Sequence, residues 1–214
     1  MLGIFGGTFD PVHYGHLRPA LEVMEALRLE AVRFIPAGRP NLREAPQASA
    51  EQRLAMLERA VAGQPGFVID EREIHREGVS YMVDTLASLR EEIGARPLCL
   101  ILGYDAFLKL HRWHRWERIP ELAHIVVAHR PGWDGQGPEA PLQRLLAERS
   151  CAADALAERP AGGIVRVAVT QLDISATRIR ELVHGGRDIR FLLPDSVRDY
   201  IIEQRLYTGN DLGT

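Results

Sequence analysis

The chain of 214 residues has very little lysine, little cysteine and no long apolar run, and each shortage excludes a class of protein. Lys109 is the only lysine among 26 basic residues and lies in Leu-Lys-Leu, so the Gly-Lys-Ser/Thr end of a P-loop is absent. Cys99 and Cys151 are too few for a disulfide framework and are typical of free thiols in the cytoplasm. No window approaches 18 consecutive apolar residues, which excludes a transmembrane helix.

The remaining composition is that of an ordinary globular protein. Hydrophobic residues make up 46% and charged residues 26% of the chain, and the net charge is -3. This balance gives no reason to expect a nucleic-acid partner, because such partners are bound through an excess of positive charge. The length suits a single domain, and the start Met-Leu-Gly-Ile-Phe has no basic leader, so we expect no secretory signal.

Short apolar runs alternate with amphipathic patterns along the chain. The predicted strands are residues 2–5, 32–36, 67–70, 98–102, 125–129 and 164–169. The predicted helices are residues 16–29, 49–61, 80–93, 175–184 and 195–205, and the predicted loops are residues 37–48 and 131–141. This alternation predicts an α/β fold with a doubly wound, mainly parallel sheet and helices on both faces. Ligands of such folds bind beyond the carboxyl ends of the strands, so we expect the site after residues 2–5 and 98–102.

The first motif runs from Gly6 to His16 and reads GGTFDPVHYGH, between a predicted strand and a predicted helix. Paired glycines allow a ligand to approach the backbone, and a helix N-terminus binds phosphate through free N–H groups and its dipole. His13 and His16, three residues apart, can face one ligand. A metal site is the alternative, although no further ligand stands at a suitable spacing, and a pair of helix-capping histidines is the structural alternative.

The second motif, ISATRIR, covers residues 174–180. Ser175 is placed to cap a helix, Thr177 lies in the first turn, and Arg180 follows on the same face. Hydroxyls, free N–H groups and a guanidinium together suit a polyphosphate. A capped amphipathic helix with solvated arginines is the alternative interpretation.

The first motif resembles the (T/H)xGH signature of the nucleotidyltransferase superfamily, and the second resembles its ISxTxxR motif. The resemblance runs along essentially the whole chain and is most specific to bacterial nicotinate-nucleotide adenylyltransferases. The segments that carry this more specific resemblance are SYMVDT at 80–85, LGYD at 102–105, WHRW at 113–116, AHRPG at 128–132 and the tail from Leu193 to Tyr207. The resemblance implies a Rossmann-like fold forming a single domain over residues 1–214, with a small helical C-terminal extension from about residue 175.

The resemblance also implies an activity, which is transfer of AMP from ATP to nicotinate mononucleotide with release of pyrophosphate. The catalytic residues it implies are His13, His16 and Arg180. The ATP-binding residues it implies are Gly6, Gly7, Thr8, Phe9, His16, Arg43, Gly103, Asp105, Ser175, Thr177 and Arg180. The residues it implies for the second substrate are Thr85, Tyr104, Trp113, His114, Trp116 and Arg130. Nicotinate mononucleotide is expected to be preferred over its amide, through backbone N–H groups near Thr85 and His114.

The implied cofactor is Mg²⁺ carried with ATP, with no dedicated protein ligands for a metal. We expect no nucleic-acid or membrane partner, a cytoplasmic location, and a monomer or a small homo-oligomer. The family often has Pro-x-His-Lys after the second strand, where this chain has Pro40-Asn41-Leu42-Arg43, so Arg43 replaces a lysine and Leu42 a histidine.

Several alternatives compete with these expectations. Trp113 and Trp116 are spaced like core residues of a helix, Thr85 could be an ordinary helical residue, and Asp105 could be an N-cap. A phosphopantetheine adenylyltransferase or a cytidylyltransferase is the nearest rival function, and a non-catalytic nucleotide-binding module is the rival from another class.

Overall fold

The centre of the molecule is a six-stranded sheet. The computed structural model describes residues 1–41, 44–129, 137–170 and 172–209. The strands are β1 (Leu2–Gly7), β2 (Ala31–Pro36), β3 (Phe67–Ile69), β4 (Leu98–Gly103), β5 (His124–His129) and β6 (Ile164–Ala168). All six of these strands pair in parallel, in the order β3-β2-β1-β4-β5-β6. The predicted doubly wound α/β fold is therefore confirmed, and the strand order reverses between β1 and β4.

Helices connect the strands and cover both faces of the sheet. They are α1 (Tyr14–Ala26), α2 (Ala50–Val61), α3 (Met82–Ile93), α4 (Tyr104–Leu108), α5 (Ile119–Leu122), α6 (Ala140–Arg149), α7 (Ala176–His184) and α8 (Asp195–Glu203). Short 3₁₀ segments cover Leu110–Arg112, Trp116–Arg118 and Ala153–Glu158. None of the helices in the described ranges has the length and apolar character that crossing a membrane requires.

Capping side chains explain where the helices begin. Ser49 and Gln52 form a reciprocal capping box at the start of α2, and the Ser175 hydroxyl accepts the Arg178 N–H at the start of α7. The predicted start of α3 at Ser80 is wrong by two residues. The Ser80 hydroxyl instead accepts the N–H groups of Gly38 and Arg39, 3.1 and 3.2 Å away, and so joins the loop after β2 to the start of α3.

Helices α4, α5 and α6 were missed by the sequence patterns. Two of them are only four or five residues long, which is too short for a periodic apolar face to be recognised. Helix α6 begins inside the predicted loop 131–141. Its first turn contains Pro141, which indicates a loop in the sequence but is tolerated at the start of a helix.

The sheet separates two groups of buried apolar side chains. One group joins α1, α2, α7 and α8 to one face of the sheet, and the other joins α3, α4, α5 and α6 to the opposite face. Helix α8 packs against α2, so the C-terminal segment closes over the same face as the helix that follows β1. This packing holds α1 and α7, the two helices that carry the sequence motifs, at one edge of the sheet.

Candidate active site

Two clefts flank the carboxyl end of β1, next to the point where the strand order reverses. The histidine cleft, about 350 Å³, is lined on one side by His13, Gly15 and His16 and on the other by Gly103 and Ser175. The tryptophan cleft, about 340 Å³, is lined by Gly6, Gly7, Thr8, Trp113 and His114 together with residues of α3. The structure thus brings residues of both motifs and of the substrate segments to one edge, where ligands of this fold class bind.

Close neighbours leave little room for side chains at the glycines of the first motif. A Cβ atom on Gly6 would lie 2.3 Å from the Met82 Cε, and one on Gly7 would lie 3.0 Å from the Phe9 ring. The Phe9 side chain is buried and points into the core, with φ of 53° at Phe9. Its ring packs edge-on against His16, with 5.3 Å between centroids. The expected lining of the ATP site by Phe9 is therefore limited to its backbone, and its ring supports His16.

His13 and His16 are stacked at the start of α1. Their ring centroids are 3.8 Å apart, and the backbone N–H of His13 donates to His16 Nδ1 over 3.3 Å. Because Nδ1 accepts this bond, the neutral His16 ring carries its proton on Nε2 and can donate to a ligand. The missing side chain of Gly15 admits the His13 ring, since a Cβ atom there would lie 2.9 Å from it.

Both histidines are held in the neutral form. Burial lowers the pKa of His13 from 6.5 to about 4. The pKa of His16 lies well below 6.5, mainly because of burial and secondly because of electrostatic repulsion from His13. His13 Nδ1 is buried and has no hydrogen-bond partner among the described residues. The free site at neutral pH therefore offers neutral imidazole donors to an anionic ligand.

The lowered pKa of His13 predicts a loss of stability in mild acid. An unfolded His13 takes up a proton as the pH falls below 6.5, whereas the folded chain resists protonation down to about pH 4. The contribution of neutral His13 to the free energy of unfolding is therefore complete above pH 6.5. It is lost as the pH falls, and the loss reaches about 2 kcal/mol at pH 5. Urea unfolding at pH 7.5 and pH 5 should show this difference in the free energy of unfolding. The difference should be smaller in His13→Gln and unchanged in the control His75→Gln, where the histidine ring is exposed. An unchanged difference in His13→Gln would contradict the assignment.

The second motif presents its side chains at the start of α7. Ser175 lines the histidine cleft, whereas Thr177 and Arg180 line a larger cleft of about 1030 Å³, here called the arginine cleft. Arg180 donates to the Asp10 carbonyl oxygen over 2.6 Å and to the Thr177 hydroxyl over 3.4 Å. Arg178 is exposed and pairs with Glu181 over 3.1 Å. The two arginines of the motif therefore have different surroundings, as the spacing predicts.

The residues after β4 are only partly brought to the clefts. Gly103 lines the histidine cleft and caps α4. Asp105 is an exposed residue in the first turn of α4 and is not its N-cap. Tyr104 is half-buried, with its ring 6.3 Å from that of Phe107, and packs against the core.

The tryptophan cleft has an aromatic wall. Trp113 lines it, and the His114 ring lies against the Tyr81 ring with 4.4 Å between centroids. Trp116 is half-buried against the core and does not line this cleft. Of the two tryptophans expected at the second substrate, the structure therefore brings only Trp113 to the cleft, because the chain turns at Arg115, where φ is 51°.

Thr85 does not face the cleft. Its side chain is fully buried. The hydroxyl donates to Glu73 Oε1 over 2.5 Å and accepts from Arg76 over 2.9 Å. The backbone N–H donates to the Tyr81 carbonyl oxygen. These groups are already bonded within the protein, and the expected role of Thr85 at the second substrate stays a prediction. Glu73, which burial gives a raised pKa, lies at the wall of the cleft.

Two expected residues lie outside the described part of the chain. These are Arg43, expected at the pyrophosphate, and Arg130, expected at the mononucleotide phosphate. Leu42, where the family often has histidine, also falls outside it.

A cluster of buried polar side chains, which the sequence patterns do not predict, surrounds one residue of the first motif. Asp10, Arg53 and Tyr207 are all buried, and they connect the glycine loop to α2 and to the C-terminal segment. Asp10 lies inside the first motif, where a charged residue among apolar neighbours is a signal of a buried carboxylate. No local pattern distinguishes Arg53 or Tyr207, because their partners lie far away in the sequence.

Known proteins similar to this chain agree on its class. The model of the cytidylyltransferase-like family matches residues 4–182. A protein of Halorhodospira halophila named "Probable nicotinate-nucleotide adenylyltransferase" is 53% identical over 96% of this chain and 94% of its own. A protein of Methylococcus capsulatus with the same name is 51% identical over 97% of this chain and 99% of its own.

The fold also matches solved structures at low sequence identity. The nicotinic acid mononucleotide adenylyltransferase of Plasmodium falciparum, complexed with NaAD, has a TM-score of 0.68 and 15% identity, and the match covers 96% of each chain. The same enzyme complexed with APC has a TM-score of 0.67 and 17% identity, again over 96% of each chain. These matches show the shared fold.

The glycine loop, the stacked histidines and the capped α7 at one edge of a parallel sheet thus define a nucleotidyltransferase of the cytidylyltransferase-like class. Within that class, the chain belongs to the nicotinate-nucleotide adenylyltransferase family.

Proposed function

We propose that this chain transfers AMP from ATP to nicotinate mononucleotide, giving nicotinate adenine dinucleotide and pyrophosphate. The observation that carries the proposal is that the histidine and tryptophan clefts flank the same strand end, at Phe5 and Gly6. ATP in the first cleft and a mononucleotide in the second would bring the attacking phosphate and the α-phosphorus together at the glycine loop. Aligning two reactants in this way is a major source of rate enhancement.

The reaction needs alignment and charge stabilisation more than proton transfer. A phosphate dianion of the mononucleotide attacks the α-phosphorus in line, a new P–O bond forms, and the bond to the departing pyrophosphate breaks. No proton has to be removed from the nucleophile, so no general base is required. Glu73 is the one carboxylate among the described residues that line the two clefts, and it is bonded to Thr85.

Donors at the histidine cleft suit the transferring phosphoryl group. His16 offers its Nε2–H, and the N-terminus of α7 beside Ser175 offers the positive end of a helix dipole. Thr177 and Arg180, which lie further along α7, would bind the β- and γ-phosphates. Gly7 and Thr8 would support the phosphates through their backbone, because both lie where β1 gives way to the loop.

We further propose that a Mg²⁺ ion arrives with ATP and is held mainly by the substrate. The described residues contain no group of three or more His, Cys, Asp or Glu side chains able to hold a metal ion. Substrate phosphates and water are the ligands that Mg²⁺ commonly keeps in such sites. When bound, the ion would neutralise charge on the triphosphate.

A pyrophosphate-release assay with ATP and a panel of acceptors tests the function. Nicotinate mononucleotide, nicotinamide mononucleotide and phosphopantetheine serve as acceptors, and CTP replaces ATP in a parallel series. We expect the highest kcat/KM with ATP and nicotinate mononucleotide. Higher activity with phosphopantetheine or CTP would support a related transferase, and no pyrophosphate release with any pair would support a non-catalytic binding module.

The two arginines of the second motif give a matched pair of variants. Because Arg180 is anchored beside Thr177 at the arginine cleft, Arg180→Ala should raise the KM for ATP by about 10- to 100-fold through loss of charge-assisted hydrogen bonds. Arg178 is exposed and paired with Glu181, so Arg178→Ala should change the KM by less than about twofold. Steady-state kinetics at saturating nicotinate mononucleotide measures both values. Equal effects would show that bulk positive charge, not position, governs ATP binding.

The following further properties are proposed from the family resemblance alone. They are a pyrophosphate contact for Arg43, a mononucleotide phosphate contact for Arg130, a ribose contact for Asp105 and a cytoplasmic enzyme that is a monomer or a small homo-oligomer.

A further inference from the structure

Asp10 lies in the loop between β1 and α1, here called the phosphate-binding loop, and its carboxylate accepts three hydrogen bonds. Oδ1 accepts the Tyr207 hydroxyl over 2.7 Å and the Ala48 N–H over 3.1 Å, and Oδ2 accepts the Gln47 N–H over 2.9 Å. The side chain is buried. Three donors from two separate segments of the chain therefore converge on one carboxylate.

Arg180 lies against the same residue without forming a close ion pair with it. Its Nη1 donates to the Asp10 carbonyl oxygen over 2.6 Å and stays 3.9 Å from Oδ2. Its Nε is buried and has no hydrogen-bond partner among the described residues. An arginine next to a carboxylate usually forms two parallel hydrogen bonds with it, but here other donors fill the carboxylate oxygens.

Tyr207 supplies the donor that comes from farthest along the sequence. Burial and the neighbouring Asp10 raise the pKa of its hydroxyl, so it remains a neutral O–H donor. The ring is largely buried at the end of the described C-terminal segment, where Tyr207 and Thr208 both line the arginine cleft. The C-terminal segment thus reaches the phosphate-binding loop through one hydroxyl group.

A second arginine, which is fully buried, holds the other side of the loop. Arg53 of α2 donates to the Thr8 carbonyl oxygen over 2.8 Å and to the Gly38 carbonyl oxygen over 3.2 Å. Asp10 acts electrostatically on this guanidinium and partly offsets the cost of burying it. Asp10 is therefore the negative charge between two arginines, of which only Arg180 reaches a cleft.

We propose that Asp10 and Tyr207 are positioning residues for ATP, which keep Arg180 beside the phosphate site and free to donate to the triphosphate. The Asp10 charge and carbonyl oxygen hold the guanidinium in place, while the Tyr207 hydroxyl and the Ala48 N–H fill Oδ1. If the hydroxyl is absent, Oδ1 keeps only the Ala48 N–H, so Arg180 can turn onto the carboxylate and its donors are lost to ATP. The inference rests on the proposed function, because it assigns Arg180 to the β- and γ-phosphates.

The test is a double-mutant cycle between Tyr207→Phe and Arg180→Ala. Tyr207→Phe keeps the buried ring and should raise the KM for ATP about tenfold, with kcat and the KM for nicotinate mononucleotide within about twofold. In the Arg180→Ala background, Tyr207→Phe should leave the KM for ATP unchanged within about twofold, because the group through which it acts is gone. A tenfold effect that persists without Arg180 would overturn the proposal.

Controls separate positioning from general stability. Tyr200→Phe removes a hydroxyl in the same segment, where the ring lies under Arg59 with 4.3 Å to its centroid, and should leave all kinetic constants unchanged. Asp10→Asn places an amide NH₂ group against N–H or O–H donors and should raise the KM for ATP more than Tyr207→Phe does. If Asp10→Asn does not fold, the Tyr207→Phe cycle decides the question alone.

A binding measurement distinguishes failure of this proposal from failure of the proposed function. Calorimetric titration with ATP and Mg²⁺, without any acceptor, should give a Kd about tenfold higher in Tyr207→Phe than in the unmodified chain. This result supports the positioning role even if nicotinate mononucleotide proves not to be the acceptor. Equal Kd values in the two proteins would overturn the positioning role, whichever acceptor is used.

Discussion

Replacing His16 with alanine is expected to lower kcat by about 10²–10³-fold while changing the Kd for ATP by no more than about threefold. His16 lines the histidine cleft, and its Nε2–H is available because Nδ1 accepts the His13 N–H. A donor directed at charge that develops in the transition state affects turnover more than binding, and removal of one such donor typically costs about this factor. Pre-steady-state measurement of product formation, together with calorimetry for ATP, separates the two quantities.

Two further variants sharpen the assignment of His16. His16→Gln can place an amide donor in the same direction and should retain more activity than His16→Ala. His75→Ala, at an exposed histidine whose partner is Glu71, should have unchanged kinetics. Turnover close to normal in a folded His16→Ala protein would remove His16 from the catalytic residues.

The chain is expected to prefer nicotinate mononucleotide over nicotinamide mononucleotide by about 10²–10³-fold in kcat/KM. A ring carboxylate only accepts hydrogen bonds, whereas the amide presents an NH₂ group that would face donors and remain unpaired. Charge-assisted bonds are about twice as strong as neutral ones, so two such contacts differ by a few kcal/mol, and about 1.4 kcal/mol corresponds to tenfold. Because the Thr85 donors are bonded within the protein, we expect the segment around His114 to supply these contacts.

Trp113 offers a control on this selectivity. Its ring lines the cleft and would stack on the pyridine ring of either substrate, which does not distinguish acid from amide. Trp113→Ala should therefore lower kcat/KM for both mononucleotides and leave their ratio nearly unchanged. The hypothesis fails if the unmodified chain uses both equally, or if Trp113→Ala abolishes the preference while activity remains.

Local chemistry allowed the positions of the two motifs in the fold to be predicted from the sequence. The Gly6-Gly7 pair, His13 and His16 lie between a strand and a helix, and the Ser175 cap opens the second helix, so their placement depends on neighbours within a few residues. The strands were predicted for the same reason, since buried parallel strands are short continuous apolar runs. The sequence therefore determined which strand precedes each of the two motifs.

Only the tertiary structure decided which side chains reach the clefts and which are held behind them. Phe9 lies inside the first motif but turns into the core, Trp116 packs away from the cleft, and Thr85 is bonded to Glu73. The bond from Tyr207 to Asp10 joins residues 197 positions apart. Spacing along the chain determines which residues share a helix face, whereas burial and long-range hydrogen bonds depend on how helices from distant segments pack against one sheet.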